Sequence, residues 1–225
     1  MKFSEHLKKV ARPIWNKGFT HPFMLRLGDA TLNKEKFEFY LCQDYALLTE
    51  FNRVLALGAI KAPDFSIMEK FSWLLSGNVN ERMNLYKKLS MLLGISEQAL
   101  EKAKIAPTAM AYSSYLSRVA HEKDFLHLAV LLLPRFYSHT QYCGRLLAEN
   151  SKGLEHIVYG EWIRLNASAG IAAYGDWLFN LADELADAMP QRYLDGAESV
   201  FIRCAQYDYM FFDMAYREEK WLIEE

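Results

Sequence analysis

NKEKFEFYLCQDYALLTEFNRVLALGAIK, residues 33–61, decides the fold. Phe37, Tyr40, Leu41, Leu48, Phe51 and Leu55 recur through it at threes and fours. That spacing is the stripe of an α-helix, not the alternation of a half-buried strand. Outward from it the same period persists. Residues 3–18 put Phe3, Leu7, Val10 and Ile14 on one face, and HPF at 21–23 breaks the chain. Pro63 marks the next start, and 64–93 reads as one or two helices. Gly94 suits the residue just past a helix end and Ser96 the cap of a short helix that follows. Helices over 108–121, 124–149, 153–165, 168–188 and 190–219 complete the pattern. The expectation is an all-α, single-domain helical bundle over residues 1–225.

Composition bounds the function. A chain of 225 residues with 52% apolar content is long enough for a good core. A net charge of −2 supplies no basic field for nucleic acid. No apolar run reaches the roughly 18 residues of a membrane span, and MKFSEHLKKVARPIW lacks a signal-peptide core. The three cysteines, Cys42, Cys143 and Cys204, form no CxxC, and their odd number suits a reducing cytoplasm. The six histidines make no di-metal spacing with carboxylates, and His21, in a breaker, is a weak candidate for a haem ligand. No Gly-rich phosphate loop or GxSxG is present. The expectation is therefore no metal, no cofactor, no nucleic acid and no membrane, but a small-molecule ligand.

Candidate chemistry lies in carboxylates set among apolar residues. Asp44 sits in YLCQDYALL with Tyr40 and Leu48 at four-residue spacing. A carboxylate there needs donors, because burying it without them costs several kcal/mol. A hydrogen bond to a neighbouring helix and an anchor for an amidine-like group both meet that need. Asp208 in QYDYMFFDMAYR is flanked by aromatics that read equally as core or as a box for a flat ring. Such a setting raises a carboxyl pKa and suits proton transfer. In LLLPRFYSHT, residues 131–140, Pro134 interrupts a long apolar helix, and Arg135 and His139 follow one turn apart. The proline either bends the helix around the core or turns that segment towards a pocket.

Three stretches together carry a resemblance. MKFSEHL…FTHPFMLRLGDATLNKEKFEFYLCQDY opens the chain, APTAMAYSSYLSR and AVLLLPRFYSH lie in the middle, and YDYMFFDMAYREEKW closes it. The chain resembles the TenA/thiaminase II family over nearly its whole length. The resemblance implies a haem-oxygenase-like helical bundle, assembled as a homo-oligomer (tetramer or dimer), that binds no haem and hydrolyses aminopyrimidines or thiamin. It places Asp44 on the family's pyrimidine-anchoring aspartate and Tyr112 on its ring-stacking tyrosine. Asp208 stands where the family has a catalytic glutamate. Arg135 stands where the family has its nucleophilic cysteine. His139, Asn166 and Leu47 replace three pocket tyrosines.

A guanidinium stays protonated and cannot attack as a thiolate does. Thiaminase activity is accordingly expected to be weak or absent. Three readings follow. One is an aminopyrimidine hydrolase in thiamin salvage working without a cysteine, with Asp208 activating water. Another is a ligand-binding or regulatory protein that has kept the pocket. The last is a changed, anionic ligand gripped by Arg135 and His139. Asp44 and Asp208 are expected to face one aromatic-lined cavity. Arg135 either pairs with one of them or stays free to clamp an anion.

Overall fold

Helix α1 (Phe3–Phe19) leads into a short α2 (Pro22–Gly28) and then the long α3 (Lys34–Lys61) of the computed structural model, which describes residues 1–187 and 189–223. The chain continues through α4 (Phe65–Gly77), a π-helical turn (Asn78–Arg82), α5 (Met83–Leu93), α6 (Glu97–Glu101) and α7 (Pro107–Glu122). It ends with α8 (Phe125–Ala148), a 3-10 turn (Lys152–Leu154), α9 (Tyr159–Asn166), α10 (Ala169–Ala186) and α11 (Gln191–Arg217). No strand occurs among the described residues, so the bundle expected from the periodicity is the fold observed.

Caps explain where the helices start. Asn33, Asp64, Ser96, Asp124 and Ser168 each accept a backbone N–H in the first turn of the helix they precede. Gly94 ends α5 at φ 87°, a left-handed conformation that glycine adopts at little cost.

Two local expectations, at residues 21–23 and 153–165, need correction. HPF ends one helix but also begins another. Pro22 takes the first position of α2, and His21 Nδ1 accepts from Phe23 N at 3.1 Å. Residues 64–93 do form two helices, α4 and α5, as the periodicity allowed, and they are joined without a break by the π turn. The expected helix over 153–165 does not begin until Tyr159. His156 Nδ1 accepts from the N–H groups of Val158 and Tyr159, both at 3.2 Å, which holds a turn ahead of α9. The last expected residue of 168–188, Ala188, lies outside the described residues.

Helix α8 is the axis of the molecule. Every residue from Leu126 to Arg135 is buried, and the helix packs against α10 and α11. It runs through Pro134 without interruption to Ala148. Helix α3 is buried along thirteen of its side chains or backbone positions and packs on α4 and α7. Among the described residues, no helix is long and apolar enough to cross a membrane.

Candidate active site

Helices α3, α8 and α9, and the π turn running into α5, deliver side chains to the centre as pairs four residues apart. The pairs are Tyr40 and Asp44, Arg82 and Tyr86, Arg135 and His139, and Trp162 and Asn166. This spacing projects both members from one helix face, and all eight are buried. The π turn ends on Arg82, and such turns recur at functional sites.

Asp44 is wholly buried and richly supplied with donors. Its Oδ2 accepts from the Tyr40 hydroxyl at 3.2 Å and from the Tyr86 hydroxyl. Tyr86 in turn accepts from Trp162 Nε1 at 3.0 Å. Oδ1 is ion-paired with Arg135 Nη2. Of the two fates open to Arg135, pairing is the one realised. It points inward, 4% exposed, and is held by Asp44 rather than free to clamp an anion.

Asp208 lies across the same cluster. The Tyr112 hydroxyl donates to its Oδ1 at 3.0 Å and the Ser138 hydroxyl to its Oδ2 at 3.5 Å. Burial drives its pKa up to about 7, against the pull of the Arg135 charge and the Tyr112 hydrogen bond. Near neutral pH this carboxyl can both take and give a proton. His139 behaves oppositely. Burial, then the charges of Arg135 and Arg82, hold its pKa well below the usual range, so the ring is neutral. Its Nδ1–H donates to the carbonyl of Arg135 at 3.1 Å, and Nε2 lies 3.5 Å from the Tyr40 hydroxyl.

The aromatic-lined cavity expected from the sequence would face both carboxylates, but neither Asp44 nor Asp208 lines the two spaces next to this cluster. The space left beside Arg135 and His139 is about 10 Å3, no more than a water needs. The Arg135 side chain lines that space while its guanidinium is held by Asp44. A cavity of about 150 Å3 shares Asn78, Arg82, Phe136 and Ile171 with it and lies between the π turn and the start of α10.

The other sequence candidates fall unevenly. Asn166 is central: its Oδ1 accepts from Arg82 Nη2 at 2.8 Å and its Nδ2 donates to the Trp162 carbonyl at 2.9 Å. Tyr112 does stack, but on Tyr207, with ring centroids 5.0 Å apart and planes at 10°. Leu47 is a fully buried core leucine that lines neither of these two cavities. Cys143 and Cys204 are buried, with thiol pKa values pushed far up, which leaves them unreactive. Arg82, Tyr86 and Ser138 escaped the sequence reading. Only the four-residue spacing of Arg82 and Tyr86 hinted at a shared face. No group of side chains suited to hold a metal ion occurs among the described residues.

Comparison with known proteins fits this geometry. Residues 8–218 match the model of the TENA/THI-4/PQQC family. The chain belongs to that family. An aminopyrimidine aminohydrolase of Halalkalibacterium halodurans is 36% identical over 225 residues, covering 98% of each chain. A TenA homologue from Pyrococcus furiosus superposes with a TM-score of 0.86 at 27% identity, over 95% of this chain and 99% of that one. A haem-oxygenase-like domain from Shewanella denitrificans shares the fold, with a TM-score of 0.77 at 13% identity and 95% and 92% coverage. The family assignment and the haem-oxygenase-like bundle expected from the sequence are thus both borne out. Among the departures from the pattern this TenA-family chain resembles, position 135 carries an arginine, and it is ion-paired with Asp44.

Proposed function

We propose that this TenA-family protein binds an aminopyrimidine or related amidine-bearing small molecule in thiamin salvage and hydrolyses it without a cysteine nucleophile. One observation carries the reading. Asp44 and Asp208 meet in one buried cluster, and Asp44 already accepts from a guanidinium, whose planar N–C–N edge resembles that of an aminopyrimidine. A ligand amino group would displace Arg135 and take the same carboxylate. Asp208 would accept a proton from water as the oxygen bonds to the carbon that bears the leaving nitrogen. The C–N bond then breaks, and Asp208 returns the proton so that ammonia leaves. The proposal places this activity in a homo-oligomer and in the cytoplasm, where the three free cysteines stay reduced.

The Arg135–Asp44 pair also favours a second reading, a binding protein that has kept the pocket and lost turnover, because the pair must open before a ligand reaches Asp44. Ammonia release from the aminopyrimidine fragments of thiamin and their phosphates, and thiazole release from thiamin itself, separate the two. Slow hydrolysis is expected, weaker than thiolate chemistry gives. It should survive conversion of Cys42, Cys143 and Cys204 to Ser and fall by about 100-fold or more in Asp208→Asn, the usual worth of a general acid–base group. Tight binding with neither product released selects the second reading. Loss of turnover in the cysteine variant overturns the cysteine-independent route.

A further inference from the structure

Arg82 is a buried cation without a carboxylate. It is 8% exposed, and no Asp or Glu among the described residues lies within ion-pair distance of it, whereas the other buried arginine, Arg135, has Asp44. Its Nη2 is turned onto Asn166 Oδ1, its Nε has no protein acceptor, and its guanidinium carbon stands 5.9 Å from the centre of the Tyr86 ring. Burying a charge in this way is costly unless an anion compensates it. The cost is not spread over a solid core. Arg82 lines the 150 Å3 cavity, and it lines the small inner space together with Arg135, so two guanidiniums face that space and, of the two, Arg135 is the one with a carboxylate partner.

The rest of the cavity wall suits an anion as well. Ser168, Gly170 and Ile171 belong to the N-terminal end of the eighteen-residue α10, whose first turn holds no acidic residue. N–H groups at a helix start lack partners within the helix, and the helix dipole is positive there. A Cβ on Gly170 would meet nothing within 4 Å, so the backbone is open to close approach. Leu74, Phe136 and Leu165 lower the local dielectric. The one lining carboxylate, Glu81, is exposed and makes no ion pair with Arg82.

We propose that Arg82, oriented by Asn166 and backed by the start of α10, seats the oxyanion of a small ligand, a phosphate or carboxylate, in this cavity. The seat deepens the aminopyrimidine reading, since a ligand anchored here would extend inward past Phe136 towards Asp44. It is nevertheless testable alone, with inorganic phosphate as the probe.

Calorimetric titration of the whole protein with inorganic phosphate, at constant ionic strength near neutral pH, should give saturable binding. Arg82→Gln and Gly170→Asp should each weaken it by about tenfold or more, the scale of one charge-assisted hydrogen bond. Gly170→Asp places a carboxylate at a helix start, where it favours folding, so its effect is not a failure to fold. Arg82→Gln removes an uncompensated buried charge and should melt at the same temperature or higher. Asp208→Asn, lacking turnover, should bind phosphate as the wild type does, which separates this seat from the hydrolytic reading. A phosphorylated aminopyrimidine that binds more tightly than its unphosphorylated parent places the oxyanion on the substrate; equal binding of the two makes free phosphate the occupant. No saturable phosphate binding, or unchanged affinity in both Arg82→Gln and Gly170→Asp, overturns the seat.

Discussion

At Arg135 one side chain replaces a chemistry. A guanidinium cannot attack a carbon, but it can neutralise Asp44, and the two are nearly solvent-free together. A buried pair is not strongly stabilising by itself, because desolvating both charges offsets most of their attraction. Breaking it is another matter. Arg135→Met should cost about 3–5 kcal/mol in urea unfolding, since it removes one partner of a buried ion pair and leaves Asp44 with only the Tyr40 and Tyr86 hydroxyls as donors. Adding Asp44→Asn should recover most of that loss, because the amide oxygen still accepts from Tyr86 and no charge remains to be compensated. A double variant as unstable as the single one would mean that Arg135 contributes by packing and not by charge.

At the scale of helices, much was legible in the sequence. The stripe of α3 and the signals at Gly94 and Ser96 correspond to the observed elements within a residue or so. Asp44 and Asp208 stood out because carboxylates are expensive among Leu, Tyr and Phe. Arg82 did not, because nothing in NVNERMNLYKK distinguishes an inward arginine from its solvated neighbours; the π turn that ends on it is a backbone event. The late start of α9 was hidden for a similar reason, being set by His156 and by a close approach of backbones. A Cβ on Gly160 would sit 2.4 Å from the Leu154 carbonyl oxygen, which cannot move as a side-chain tip could. Gly160→Ala should therefore destabilise by about 1–3 kcal/mol, as overpacking does. It should also slow turnover, because α9 carries Trp162 and Asn166. Thermal melting and ammonia release read the two effects. An unchanged melting temperature would show that α9 can shift freely and that its register is not fixed by this contact.

The whole molecule sums two buried titrations of opposite sign. Asp208 keeps a proton in the fold up to about pH 7, while its unfolded counterpart loses it near 4. Over that window the folded chain holds the extra proton, so this group makes stability fall as pH rises. His139 stays neutral in the fold while the unfolded ring is protonated below about 6.5. Here the unfolded chain holds the extra proton, so this group makes stability rise with pH up to that value. Below about pH 6.5, where the two windows overlap, the two contributions oppose each other and each masks the other in the wild type. The buried histidine His21, and His156, have lowered pKa values and add a rising contribution that all variants share. Removing one partner should expose the other. Relative to the wild type, Asp208→Asn should gain stability as pH rises through this window, and His139→Gln should lose it, each by up to about 1.4 kcal/mol per pH unit. Urea unfolding of the three proteins at half-unit pH steps reads these slopes directly. Parallel curves for wild type and Asp208→Asn would mean that Asp208 ionises in the fold much as it does in water. Its position as a proton donor and acceptor at neutral pH, and with it the hydrolytic route, would then lose its physical basis.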